Sequence, residues 1–124
     1  MEDGTKISSF ENLLVWQEAQ KWAVQIYKIT RSYPKDELYG ITSQLRRAVA
    51  SISANIAEGF GRQSIKDKLH FYVIAYGSCL EVNNFLHLSN KLEFINSDEL
   101  ASLLKQGTSV QKLLNAFMRP LKNG

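Results

Sequence analysis

Apolar residues recur along most of the chain at spacings of three and four, the pattern of helices that bury one face. From Phe10 a first helical stripe is formed by Leu13, Trp16, Ala19 or Ala23, Ile26 and Thr30, with Trp22 and Ile29 lying off it. Glu11 near its start and Lys28 and Arg31 near its end suit the helix dipole. Pro34 stops the element, because the residue before a proline is pushed out of helical dihedrals. After a short polar connection at 35–40, a second helix is predicted from about Ile41 to the glycines Gly59 and Gly61. Ser64 caps a third, predicted over 65–92, with Asp67 three residues on. Its rough periodicity is Leu69, Tyr72 or Val73, Tyr76, Leu80, Asn83 or Asn84, and Leu88. Gly77 in its middle is costly in a helix and predicts a close helix–helix contact. Asn96-Ser97-Asp98-Glu99 opens a fourth helix, which carries Leu100, Leu103, Leu104, Val110, Leu113, Leu114, Phe117 and Met118 and is ended by Pro120. Alternating apolar runs bounded by turn residues are absent, so no strand is predicted. The expected fold is all-α, an up-down-up-down four-helix bundle over 10–120 with a loose tail at 1–9.

The second helix has an unusual distribution of faces. Stepping about 100° per residue, Ile41, Leu45, Ala48, Val49, Ile52, Ile56 and Phe60 make an apolar stripe. Ala50, Ser53, Ala54, Ala57 and Gly61 make a face of small residues. Gln44, Arg47, Ser51, Asn55, Glu58 and Arg62 fall within an arc of roughly 80°. A surface helix ordinarily pairs one apolar stripe with one broad charged face, so this helix is expected to be covered on more than one side. The polar stripe then reads as a structural network between helices or subunits. Glu81 on the third helix is its expected carboxylate, paired with Arg46, Arg47 or Arg62.

Composition narrows the class. A chain of 124 residues is expected to be one domain, and 44% hydrophobic with 22% charged residues fits a globular protein. The net charge of +3 permits nucleic-acid binding without requiring it, and an assembly would multiply it. The single cysteine, Cys79, sits among Ser78, Leu80 and Val82, where a buried thiol is expected. The acidic, polar start is not a signal peptide, and no apolar run approaches the roughly 20 residues that cross a bilayer. A cytoplasmic location with no membrane contact is expected.

Catalytic and metal patterns are missing. His70 and His87 are nearly five helical turns apart and cannot share a metal within one chain. The Glu-x-x-His pairs of di-iron bundles do not occur, since Asn84 follows Glu81 and Gly61 follows Glu58 at that spacing. Gly59-Phe60-Gly61 lacks the strand, third glycine and Gly-Lys-Ser of phosphate loops. There is no Gly-x-Ser-x-Gly elbow. No enzyme, cofactor or metal is expected. Positive charge remains. Lys28, Arg31 and Lys35 cluster after the first helix, Arg46 and Arg47 start the second, and Arg62, Lys66 and Lys68 surround the next turn. Lys105, Lys112, Arg119 and Lys122 follow the last helix. Arg46, Arg62, Lys66 and Lys68 are the candidate nucleic-acid contacts. Binding through such groups would be salt-dependent and weakly sequence-selective.

Several separate strings carry a family resemblance. They are Leu-Val-Trp-Gln-Glu-Ala at 14–19, Ile-Tyr at 26–27 and Tyr-Pro-Lys-Asp-Glu at 33–37. With them come Gln-Leu-Arg-Arg-Ala from Gln44, Asn-Ile-Ala-Glu-Gly-Phe-Gly-Arg at 55–62, and Gly77-Ser78 followed by Glu81. Over about residues 10–95 the chain resembles the four-helix bundle proteins encoded by intervening sequences of bacterial 23S rRNA genes, also labelled S23 ribosomal protein. Ser53 stands where that family often has Pro, so the kink a proline would impose is not implied here. The resemblance implies a pentameric ring and kinship with the accessory variability proteins of diversity-generating retroelements, which bind nucleic acid and a reverse transcriptase. The resulting expectation is a non-enzymatic homo-oligomer that binds structured RNA or a nucleoprotein partner. The alternative is a protein-interaction scaffold with no nucleic-acid role.

Overall fold

The structure is a computed structural model that describes residues 9–123. Of the expected tail at 1–9, residues 1–8 lie outside the described residues. Ser9 is described: its hydroxyl accepts from the Glu11 amide and meets the Glu11 carboxylate, capping a short 3-10 turn at Phe10–Asn12. Four helices follow: α1 (Leu14–Thr30), α2 (Ile41–Phe60), α3 (Ile65–Lys91) and α4 (Ser97–Asn123). A second 3-10 turn, Lys35–Glu37, bridges α1 and α2. No strand occurs among the described residues. Each helix packs on two neighbours, with α2 against α3 the most extensive pair and α4 returning to α1. The connections at 61–64 and 92–96 are short and hold consecutive helices antiparallel. The all-α four-helix bundle read from the pattern is therefore the fold.

The caps explain where the helices start and stop. The Ser64 hydroxyl accepts from the Asp67 amide at 3.1 Å, as its position predicts. At α4, Asn96 Oδ1 accepts from the Glu99 amide at 2.8 Å while Glu99 Oε1 accepts from the Asn96 amide at 2.9 Å. This reciprocal pair satisfies two otherwise orphaned donors. The α3 exit is closed by Glu93 in the left-handed region at φ 66°, with the Phe94 amide donating to Ser89 at 2.9 Å and the Glu93 amide to Asn90 at 3.0 Å.

Several expectations are corrected. The chain is a 3-10 turn, not α-helix, at Phe10, and Phe10 packs edge-on against Trp16 with ring centroids 5.3 Å apart. The α1 core stripe is Val15, Ala19, Trp22, Ile26 and Thr30, so Trp22 is central rather than off it. Its indole lies fully buried against Gly107 of α4, where an added Cβ would sit 2.6 Å from Trp22 Cη2. On α3 the core positions are Tyr72, Ala75, Ser78, Cys79, Val82, Leu86 and Ser89. Leu80 and Leu88 are 52% and 41% exposed. Gly77 meets nothing within 4 Å, so the close contact expected there occurs instead at Gly59 against Tyr72 and at Gly107. Pro120 lies inside α4, which runs to Asn123. In the final turn a proline withholds one amide bond, and the remaining bonds carry the helix past it.

Candidate nucleic-acid interface

The corner where α1 hands over to α2 gathers positive charge. Thr30 ends α1, and its hydroxyl donates to the Ile26 carbonyl at 2.7 Å. The same oxygen accepts from Arg46 Nε at 2.9 Å, while Arg46 Nη2 donates to the Tyr27 carbonyl at 3.4 Å. The guanidinium lies over the Tyr27 ring, 5.0 Å from its centroid. Arg46 is thus held by three contacts on α1, and its Nη1 has no partner among the described residues. Beside it Arg31, Lys35, Leu38 and Thr42 line a cleft of about 330 Å³. Thr42 is 3% exposed, and its hydroxyl has no hydrogen-bond partner among the described residues. The one ion pair among the described residues is Arg62–Glu58, so none of these three cations is neutralised by a carboxylate. The Glu37 carboxylate, also in this corner, accepts from the Ile41 amide at 3.4 Å, turned to the uncapped start of α2.

The other three candidate contacts lie at the far end of α2. Arg62 is sixteen residues beyond Arg46, roughly 24 Å along a helix. It pairs with Glu58 at 2.7 Å and covers the Phe71 ring at 4.7 Å. Lys68 Nζ donates to the Phe60 carbonyl at 2.8 Å and reaches Gly59 at 3.5 Å. Lys68 therefore caps the carbonyl end of α2, which its sequence neighbourhood did not suggest. Lys66 is exposed. The structure brings together Arg62, Lys66 and Lys68 but separates them from Arg46, whose neighbours are Arg31 and Lys35.

The polar stripe of α2 divides in the same way. Ser51 and Ser78 bond across α2 and α3 at 3.0 Å, and Asn55 Nδ2 donates to the Ser51 carbonyl at 2.8 Å and to its hydroxyl at 2.9 Å. Gln44 and Arg47 add no hydrogen bond or ion pair to it among the described residues. Glu58 serves Arg62, and Glu81 is exposed with no ion pair among the described residues. Glu81 lies about 60° around α3 from Ser78, which bonds α2, yet it stands on the exposed flank of that side and meets no arginine. Part-buried amide contacts outside the polar stripe do join helices: Gln20 to Ser53 at 2.9 Å and Asn83 to Gln111 at 3.0 Å. Their signal in the sequence is no more than an amide beside a core position. The small-residue face is not fully covered within the chain, since Ala50 and Ala54 are exposed and Ala57 is half-buried. No group of three or more His, Cys, Asp or Glu that could hold a metal occurs among the described residues. Cys79 is fully buried, and burial pushes its thiol up to about 12.

Residues 11–116 match the family described as 23S rRNA-intervening sequence protein. The chain belongs to that family. A solved structure with the same architecture is a protein of unknown function from the S23 ribosomal protein family of Bacteroides thetaiotaomicron VPI-5482. It is 27% identical, with a TM-score of 0.77 over 86% of this chain and 99% of its own. No curated protein matches the chain significantly. The intervening-sequence family match spans the whole of α1, α2 and α3 and most of α4, including the Arg46 corner and the Arg62 turn. No helix is long and apolar enough to cross a membrane among the described residues.

Proposed function

We propose that this intervening-sequence protein is a non-enzymatic, homo-oligomeric bundle of the cytoplasm that binds structured RNA or a nucleoprotein partner through basic surfaces. The observation that carries the reading is the corner cleft, where Arg31, Lys35 and Arg46 converge without a carboxylate partner. A guanidinium held over Tyr27 and bonded to Thr30 is oriented before any ligand arrives, which reduces the ordering cost of binding phosphate. Arg62 and Lys66 form a second, weaker cationic patch. Self-association, as a pentameric ring, would multiply the +3 charge of one chain.

The test is titration of the intact protein with a structured rRNA fragment at rising salt. Affinity should fall linearly on logarithmic axes, with a slope of about −0.7 to −0.9 per phosphate neutralised. Binding that is undetectable at low salt, or flat with salt, removes the proposal.

One observation favours a scaffold without a nucleic-acid role. Val73, Gly77, Leu80 and Leu88 lie on one side of α3 and face outward. That face suits a protein surface better than a phosphate backbone. Capture of a protein partner that survives nuclease treatment, in a chain that fails the salt titration, would establish the scaffold reading.

A further inference from the structure

We infer that the α1–α2 corner takes an unpaired nucleotide, with its phosphate on Arg31, Lys35 and Arg46 and its base on Tyr39. The inference rests on the RNA-binding reading above and narrows it to single-stranded segments. Tyr39 is 93% exposed, far beyond any other large apolar or aromatic side chain in the bundle. It follows directly on Leu38, which lines the cleft and is itself 47% exposed. A ring this open contributes almost nothing to the fold, and it stands one residue along the chain from the cleft that the three cations line. Stacking on such a ring accepts any base, because every base has a face, while the phosphate contacts are equally indifferent to sequence.

The cleft fits a phosphate on chemical grounds. Its cations come from three places, the end of α1, the 3-10 turn and α2, so they converge rather than line one solvated helix face. Thr42, buried in the wall and without a hydrogen-bond partner among the described residues, supplies an unmet hydroxyl. The acids nearby are Asp36, exposed on the turn, and Glu37, whose carboxylate is committed to the start of α2. In a duplex the bases stack on one another and cannot reach a side-chain ring, so Tyr39 has a use in an unpaired segment that it lacks on a helix.

The test uses the intact chain, with fluorescence anisotropy of a ten-nucleotide single-stranded RNA and of a blunt duplex of the same sequence. Tyr39→Ala should weaken the single strand about tenfold and leave the duplex unchanged, because only an unpaired base can stack on the ring. Tyr39→Phe should restore single-strand affinity. A double replacement, Arg31→Gln with Lys35→Gln, should lower both the affinity and the salt slope for single strands, the slope by about 0.7 for each phosphate no longer neutralised. Tyr39 is solvent-exposed, so these variants should keep the fold, as circular dichroism would show. Single-strand affinity unchanged by Tyr39→Ala overturns the inference. So does salt-dependent duplex binding without single-strand binding, which leaves the RNA-binding reading standing. No binding to either RNA overturns both. Loss of a copurifying protein on Tyr39→Ala, with RNA affinity intact, overturns the inference in favour of a protein contact.

Discussion

At the scale of single residues, burial decides more than identity. Cys79 illustrates this: its sequence neighbours predicted a buried thiol, and it is fully buried with its ionisation pushed up to about 12 from 9.0. In the unfolded chain the thiol ionises near its ordinary value. In the fold it keeps its proton. The preference is fully present below about pH 9 and is lost as pH rises toward 12, because only the unfolded state gives up the proton. Tyr72, also raised to about 12 by burial, adds the same sign from about pH 10 upward. In each case the neutral form is the one the fold holds, so the direction is a fall in stability with rising pH. Urea midpoints measured between pH 8 and 10 should therefore fall for the native chain. Cys79→Ala, even if less stable throughout, should fall less steeply between pH 9 and 10. Equal slopes would remove Cys79 as the cause. Other single residues were not legible in this way. Lys68 reads as a free cation in the sequence and becomes a cap for α2 only because the 61–64 turn folds it back onto Phe60. Glu81 reads as a buried partner and lies outside, because the roughly 60° that separate it from Ser78 carry it past the α2 contact to the exposed flank of α3.

At the scale of elements, local signals located the helix boundaries well and the faces less well. Ser64 and Asn96 cap where their side chains predict, since capping is a contact with residues two or three away. Faces are set by neighbours that the pattern does not name. α3 has apolar residues on nearly every side, so several stripes fit it, and contact with α2 and α4 selects Tyr72, Ala75, Cys79, Val82 and Leu86. Glu93 takes the left-handed position that closes α3, a position for which glycine or asparagine would have been the readable signal. The α1–α4 contact shows the same dependence. Trp22 fits because Gly107 offers no Cβ, and Gly107 tolerates its helical cost because Trp22 fills the space. Gly107→Ala places a methyl against the indole and should lower unfolding free energy by about 1–3 kcal/mol, despite alanine's better helix propensity. Chemical denaturation measures this directly, and a gain in stability would show that the indole can move aside at no cost.

At the scale of the whole molecule, the open matter is what covers α3. Val73, Leu80 and Leu88, 55%, 52% and 41% exposed, lie within about 80° of one another around the helix, and Gly77 leaves a shallow step between them. A single four-helix chain needs no apolar residue there, because its core is already closed by the opposite face of α3. Nor does the corner cleft use this face. Exposed apolar residues clustered in this way suit an association surface, and in the pentameric ring proposed above a second copy of the chain would cover it. Leu80→Glu puts a charge at the centre of the stripe without touching the core of its own chain. If copies meet there, sedimentation equilibrium should show a lower mass, while helical content remains unchanged and the chain-level unfolding free energy shifts little. Tyr39→Ala, at the corner cleft, should leave the mass as it was. A mass unaltered by Leu80→Glu removes this stripe as a subunit contact, and where the native chain sediments above the mass of one copy the small-residue face of α2, Ala50, Ala54 and Ala57, becomes the face to vary. There Ala57→Leu should disturb the mass instead.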